Sequence, residues 1–301
     1  MTGMFNGDVR VNVQIRSQWA SVIPNPYKFG GMGCDMSLAK LIGKPKLKDF
    51  KVGAYLLNER AGASQYNVFD FALSGAYDWA IKQKDHHVSF GLQLGTINTS
   101  VNTSALYFNN QYNDGGFNTT IPSGESFNNT NTLMPELNTG VMYYYSKVQS
   151  RLNPFAGFSV FHITEPKETF LKENSNLPRR YSFNGGTKIN INRQHQINLS
   201  AIYMWQVNVT EFQGNIMGMS YLKGRSDVCL LYGFGHRIAG NIDSEIIRFG
   251  LQYRNYTCQV SYDINDSQLQ QFSSGRGGFE VSLVYIHSKR ITVPPLVCPR
   301  I

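Results

Sequence analysis

The sequence predicts an all-β chain, an antiparallel transmembrane β-barrel of about fourteen strands, on three observations. The first is a recurring period of two. Val9, Val11, Val13 and Ile15 alternate with Arg10, Asn12, Gln14 and Arg16. Tyr181, Phe183, Ile189 and Ile191 are set against Ser182, Asn184, Lys188, Asn190 and Asn192. Cys258, Val260, Tyr262 and Ile264 alternate with Gln259, Ser261, Asp263 and Asn265. Successive strand side chains point to opposite faces, so each segment carries one apolar and one polar face. The second observation is length: the runs span about ten to fourteen residues, against about five or six for a globular strand, and tilted strands of about nine to eleven cross a bilayer. The third is the lack of any run of about eighteen apolar residues, which excludes a membrane-crossing helix. A barrel leaves no such run, because its polar lumen face interrupts the lipid face at every second residue.

Taken in order, the strands are expected at 8–21, 32–41, 50–58, 67–81 and 88–98, then 135–145, 153–163, 180–192, 196–208 and 212–221. The last four fall at 227–237, 245–255, 257–265 and 277–287. Alternation is poorest at 32–41 and 212–221. Five links are short: Lys82-Gln83-Lys84-Asp85 before two His, the stretch 146–152, Arg193-Gln194-His195, the stretch 222–226 and the bare Asn255-Tyr256 corner. Long links fall at 99–134, 164–179 and 266–276. Bacterial barrels place short turns on the periplasmic side and long loops outside. An even strand count then puts both termini on the periplasmic side. The loop 99–134 carries Asn109-Asn110, Asn113-Asp114-Gly115-Gly116 and Asn128-Asn129. It reads either as a mobile surface loop or as a contact surface for an extracellular partner, since function concentrates on loops held by a rigid scaffold.

Composition sets bounds on the rest. No stretch of the 301 residues resembles a linker, so 1–288 is expected to form one barrel and 289–301 a periplasmic C-terminal tail. The 17 Tyr and 19 Phe suit the aromatic girdles of such barrels. The formal net charge is +8, but Lys and Arg are dispersed, with no basic block or recognition motif, which argues against nucleic-acid binding. Cys34, Cys229, Cys258 and Cys298 lie far apart with no C-x-x-C spacing, which argues against metal binding by these residues. A disulfide in an oxidising envelope compartment stays open. Met1-Thr2-Gly3 leads almost directly into the first strand, without a charged and apolar leader. An outer-membrane barrel of a Gram-negative bacterium must be exported, so the chain is expected to be a mature or truncated form, or one whose start is placed late.

The search for chemistry yields little. His87 and Ser89 lie two apart on one strand face, a spacing that resembles a barrel phospholipase, where imidazole activates a hydroxyl. His87 sits beside a short turn, however, and the sequence offers no evident orienting acid. The remaining His are scattered, and H-E-x-x-H, G-x-S-x-G and phosphate-binding Gly loops are absent. No catalytic residue, cofactor or metal is expected. With the apolar parity against lipid, Arg10, Arg16, Lys188, Arg248, Arg254, Asp263 and Glu280 point into the lumen. Buried charges must be paired or hydrated. These seven therefore form either an ion-pair network that stiffens the barrel or the lining of a selective channel.

Both ends of the chain resemble the PorP/SprF family of type IX secretion outer-membrane proteins. Gly3-Met4-Phe5-Asn6-Gly7-Asp8-Val9-Arg10-Val11 leading to Arg16-Ser17-Gln18-Trp19-Ala20-Ser21-Val22 is similar to that family's opening, without the Asn-Pro-Ala that normally precedes it. Val260-Ser261-Tyr262-Asp263-Ile264, the loop 273–278 and Phe279-Glu280-Val281-Ser282-Leu283-Val284-Tyr285 resemble its last two strands. Phe279 stands where the family often has His. Val297-Cys298-Pro299-Arg300-Ile301 resembles a Cys-Pro-Arg-aromatic ending, with a terminal Ile as departure. The resemblance implies a non-enzymatic component of secretion and gliding machinery. It would support export or surface attachment of a large adhesin and contact periplasmic-side lipoproteins. The tail beyond His287, with Pro294, Pro295, Cys298, Pro299 and Arg300, is either a frayed terminus or a stiff docking peptide. A general diffusion porin is the alternative, and an outer-membrane hydrolase dependent on Ser89 a third.

Overall fold

The computed structural model describes residues 7–81, 85–113, 115–125, 130–147, 150–170, 173–268 and 270–287. Fourteen strands form one closed antiparallel barrel. In chain order they are β1 Val9–Gln18, β2 Tyr27–Ser37, β3 Phe50–Ala61, β4 Tyr66–Ile81 and β5 His86–Ser100. Then come β6 Asn131–Tyr145, β7 Leu152–Phe161, β8 Arg180–Asn190, β9 His195–Gln206 and β10 Val209–Leu222. β11 Arg225–Ala239, β12 Asn241–Tyr253, β13 Tyr256–Asn265 and β14 Arg276–His287 complete the wall. Each strand pairs with its sequence neighbours, and β1 closes on β14 with Val9 opposite His287 and Gln18 opposite Gly278. Residues 9 and 287 therefore lie at the same end. The strand axes are as long as membrane crossing demands: β4 has 16 residues and β11 has 15.

The period of two decides which side chain faces where. On β13, Tyr256, Cys258, Val260, Tyr262 and Ile264 are exposed on the outer wall, while Ser261, Asp263 and Asn265 are buried on the inner one. Ile15, Ile216, Phe249 and Phe279 continue the apolar outer surface around the barrel. Closure removes every sheet edge, which is the condition for a β-structure to sit in hydrocarbon.

Several strand ends differ from the sequence expectation, each for a local reason. β1 stops at Gln18 because Trp19 takes φ 61° and its carbonyl accepts from the amides of Val22 and Ile23. β2 runs over Tyr27–Ser37 rather than 32–41, since Gly30, Gly31 and Gly33 show no alternation. A short helix, α1 Leu38–Ile42, follows and ends on Gly43 at φ 76°. β10 starts at Val209 rather than 212, because Val207 at φ 54° makes a two-residue turn. β5 and β6 lengthen at the expense of the loop, which occupies 101–130. The end that holds residues 9 and 287 has short links except for the 38–49 segment between β2 and β3. The opposite end has the long loops 101–130, 162–179 and 266–275, together with tight turns after β3, β9 and β11. The 289–301 tail, including Pro294, Pro295, Cys298, Pro299 and Arg300, lies outside the described residues, as does the 1–6 part of the opening motif.

Candidate functional site

Two regions concentrate polar chemistry: the lumen and the crown of long loops. On the lumen wall formed by β11–β14 and β1, Asp263 is the hub. Its Oδ2 lies 2.6 Å from Arg16 Nη2 and 3.3 Å from Arg237 Nη1, and its side chain is 2% exposed. Arg16 on β1 and Arg237 on β11 each reach over one intervening strand to meet it. Arg16 Nη1 also lies 3.5 Å from Glu280 Oε2, and its Nη2 donates to Gln18 Oε1. Arg248 donates to Asn215 on β10. Arg10 pairs with Asp35 of β2 at 2.8 Å. Lys188 faces inward on β8, opposite Asn153 and Asn198. Arg254 departs from expectation. It sits in the turn between β12 and β13 at φ 53°, with its guanidinium 5.1 Å over the Tyr253 ring. The strand parity that would have aimed it inward ends one residue earlier.

The facing wall is acidic. Glu136 on β6 and Asp70 on β4 are both buried. Glu136 Oε1 lies 3.0 Å from Nδ1 of His162, which follows β7 at φ 56°. Tyr55 donates to Asp70 at 2.7 Å. The His162 amide donates to Asn138 Oδ1, and Asn138 donates to Gln93. Strands β2–β6 turn Asp35, Glu59, Asp70, Asp78 and Glu136 inward, accompanied by Lys51. Strands β8–β14 with β1 turn in Arg10, Arg16, Arg180, Lys188, Arg237 and Arg248, accompanied by Glu211, Asp263 and Glu280. Low-dielectric walls of opposite sign focus a field across the space between them.

His87 and Ser89 also face the lumen, near the short-turn end. The acid not evident from the sequence comes from the neighbouring strand: Asp78 Oδ2 lies 3.1 Å from His87 Nδ1 and accepts from Tyr144 at 2.7 Å. The His87 ring stacks on Tyr144 at 4.6 Å. The site faces inward, away from the lipid ester bonds that a membrane lipase would hydrolyse. Cys34, Cys229 and Cys258 are free.

At the crown, the described part of loop 101–130 folds on itself. Gln111 is buried, accepts from the Phe108 amide and donates to the Ile121 carbonyl. A hairpin, Tyr112–Asn113 with Gly116–Phe117, carries two exposed aromatic side chains, and Tyr107 packs beside them. Tyr107 meets Phe117 edge-on at 4.9 Å, Tyr112 lies 5.7 Å from Phe117, and all three rings are exposed. Exposed aromatic groups of this kind are enriched at protein interfaces. Sequence reasoning left open whether this loop was mobile or a contact surface. It did not single out Asp35, Asp70, Asp78, Glu136, His162 or Arg237. All but His162 lie on the inward parity of their strands and were reachable by the same rule.

Comparison with known proteins adds a family. The model described as "Type IX secretion system membrane protein PorP/SprF" matches residues 1–285. None of the curated proteins matches the chain. Among solved structures, a Pseudomonas aeruginosa FadL homologue is similar at 8% identity and TM-score 0.51, covering 92% of this chain and 88% of its own. The CymD monoaromatic hydrocarbon channel is similar at 9% identity and TM-score 0.51, covering 95% and 90%. At such identities the likeness concerns the barrel fold alone.

Proposed function

The chain belongs to the PorP/SprF family of type IX secretion system membrane proteins, and from that premise we propose that it works as a non-enzymatic binding component of that machinery. In this reading the barrel sits in the outer membrane of a Gram-negative bacterium. It supports export or surface attachment of a large adhesin, in secretion or gliding, and meets periplasmic-side lipoproteins at its short-turn end. The family match across nearly the whole barrel carries the proposal. The exposed Tyr107, Tyr112 and Phe117 supply a contact surface on the long-loop end, which this reading takes as extracellular. The 289–301 tail is the candidate docking peptide on the other side. Deleting the gene is expected to abolish surface display of the partner adhesin, measured by antibody labelling of intact cells. Normal display with altered solute uptake would overturn the proposal.

A second reading, a solute channel, is favoured by the opposed acidic and basic lumen walls. Planar-bilayer recordings separate the two. A steady nanosiemens-scale pore, made less cation-selective by Asp70→Asn and less anion-selective by Arg248→Gln, would favour the channel.

A further inference from the structure

Although Lys and Arg are spread along the chain, the segment between β2 and β3 holds four lysines, Lys40, Lys44, Lys46 and Lys48, against one acid, Asp49. That segment, 38–49, is the one long link at the short-turn end. It holds α1 and a 3-10 turn, Pro45–Leu47, joined through Gly43. Lys44, Lys46 and Lys48 are exposed, and Lys40 is half-exposed with its Nζ 4.0 Å from Asp8. Leu41 and Ile42 are 60% and 52% exposed beside them. Two large aliphatic side chains left open to water next to a cluster of lysines require a cover that is both apolar and anionic.

The position of the segment says which cover. It enters β3 at Phe50, whose ring packs 4.9 Å from Tyr77 on the outer wall. Trp79 is exposed two residues further along β4. Aromatic side chains on the outer wall of a barrel mark the headgroup level of the bilayer. The segment therefore leaves the lipid-facing wall at headgroup depth. Lysine stems lie along apolar surface while their ammonium groups reach the phosphates. Clustered lysines beside exposed aliphatic groups are the composition of a peripheral lipid-binding element, attracted to acidic phospholipid. Other turns of the same end add exposed Arg151, Arg193, Lys223 and Arg225, against Asp85 and Asp227. The positive surface thus continues around the rim.

We propose that the 38–49 segment is an interfacial anchor that seats Leu41 and Ile42 among the lipids of the leaflet at the short-turn end and binds anionic phospholipid headgroups through Lys44, Lys46 and Lys48. The test uses the full chain in nanodiscs of phosphatidylcholine alone or of phosphatidylcholine with phosphatidylglycerol, read by hydrogen–deuterium exchange. Exchange of peptides covering 38–50 is expected to slow when phosphatidylglycerol is present, while the Lys223-Gly224 turn changes less. Lys44→Gln/Lys46→Gln/Lys48→Gln is expected to lose the difference between the two lipids. Leu41→Ser/Ile42→Ser is expected to raise exchange in both. These exposed positions leave the barrel wall intact, which the unchanged exchange of β12 and β13 checks. Equal exchange of 38–50 in both lipids would overturn the proposal. Protection that arises only on adding solubilised envelope proteins would assign the surface to a protein and overturn it as well.

Discussion

On the β11–β14 and β1 wall of the lumen, arginines outnumber carboxylates, and one carboxylate, Asp263, is shared by Arg16 and Arg237. On the β3–β6 wall the acids dominate, and Asp70, Asp78 and Glu136 are held by tyrosine phenols and histidine imidazoles rather than by guanidinium groups. Both clusters occupy inward positions of the same kind of strand. The difference teaches that strand parity decides only whether a group faces the lumen. What holds it there depends on which neighbours the register supplies. It also teaches that the lumen is polarised sideways, with an excess of each sign on a separate wall.

Substitutions in the two clusters should differ in size. Asp263→Ala leaves two arginines facing a carboxylate that is gone, and breaking a buried charge pair by removing one partner costs about 3–5 kcal/mol. It is expected to have the largest effect, read as a lower unfolding midpoint in a heat-modifiability gel or in urea. Glu136→Ala strips His162 of its carboxylate partner in a network otherwise bonded by neutral groups. The expected loss is about 1–3 kcal/mol, the range for a hydrogen bond and its unsatisfied partner. If Glu136→Ala proved the more damaging of the two, the contrast between an ionic and a hydrogen-bonded wall would fail. Arg254→Ala, at the turn and outside both clusters, should change stability by less than about 0.5 kcal/mol. A large effect there would mean that the turn, and not the lumen, holds the end of the barrel.

Much of the wall was legible because lipid and lumen impose alternation on every strand that crosses between them. β1, β8 and β13 show it plainly, and the fourteen-strand count follows. Alternation fades where glycines stand in place of side chains, as at Gly30, Gly31 and Gly33 of β2. Strand ends were misplaced where a turn relies on a positive φ at an ordinary residue, as at Trp19 and Val207. Nothing in the local pattern of Trp or Val announces that conformation. The same effect removed Arg254 from the inward set. Among the charged groups, the Arg16–Asp263–Glu280 contacts join residues that parity had already aimed inward. His162 carries no such signal, since its direction comes from the bend after β7 and not from a strand. Asp78 was missed as the partner of His87 because the two are neighbours only through the β4–β5 register.

The proposed role in surface attachment of an adhesin places the aromatic crown of loop 101–130 against that partner. Its most direct test is photo-crosslinking in intact cells from a benzoylphenylalanine placed at Tyr107, which is 66% exposed. The account predicts a very large covalent adduct containing a secreted surface protein, lost when the probe is moved to an outer-wall position such as Phe249. A correctly folded barrel at the cell surface that yields no adduct from Tyr107 would contradict it.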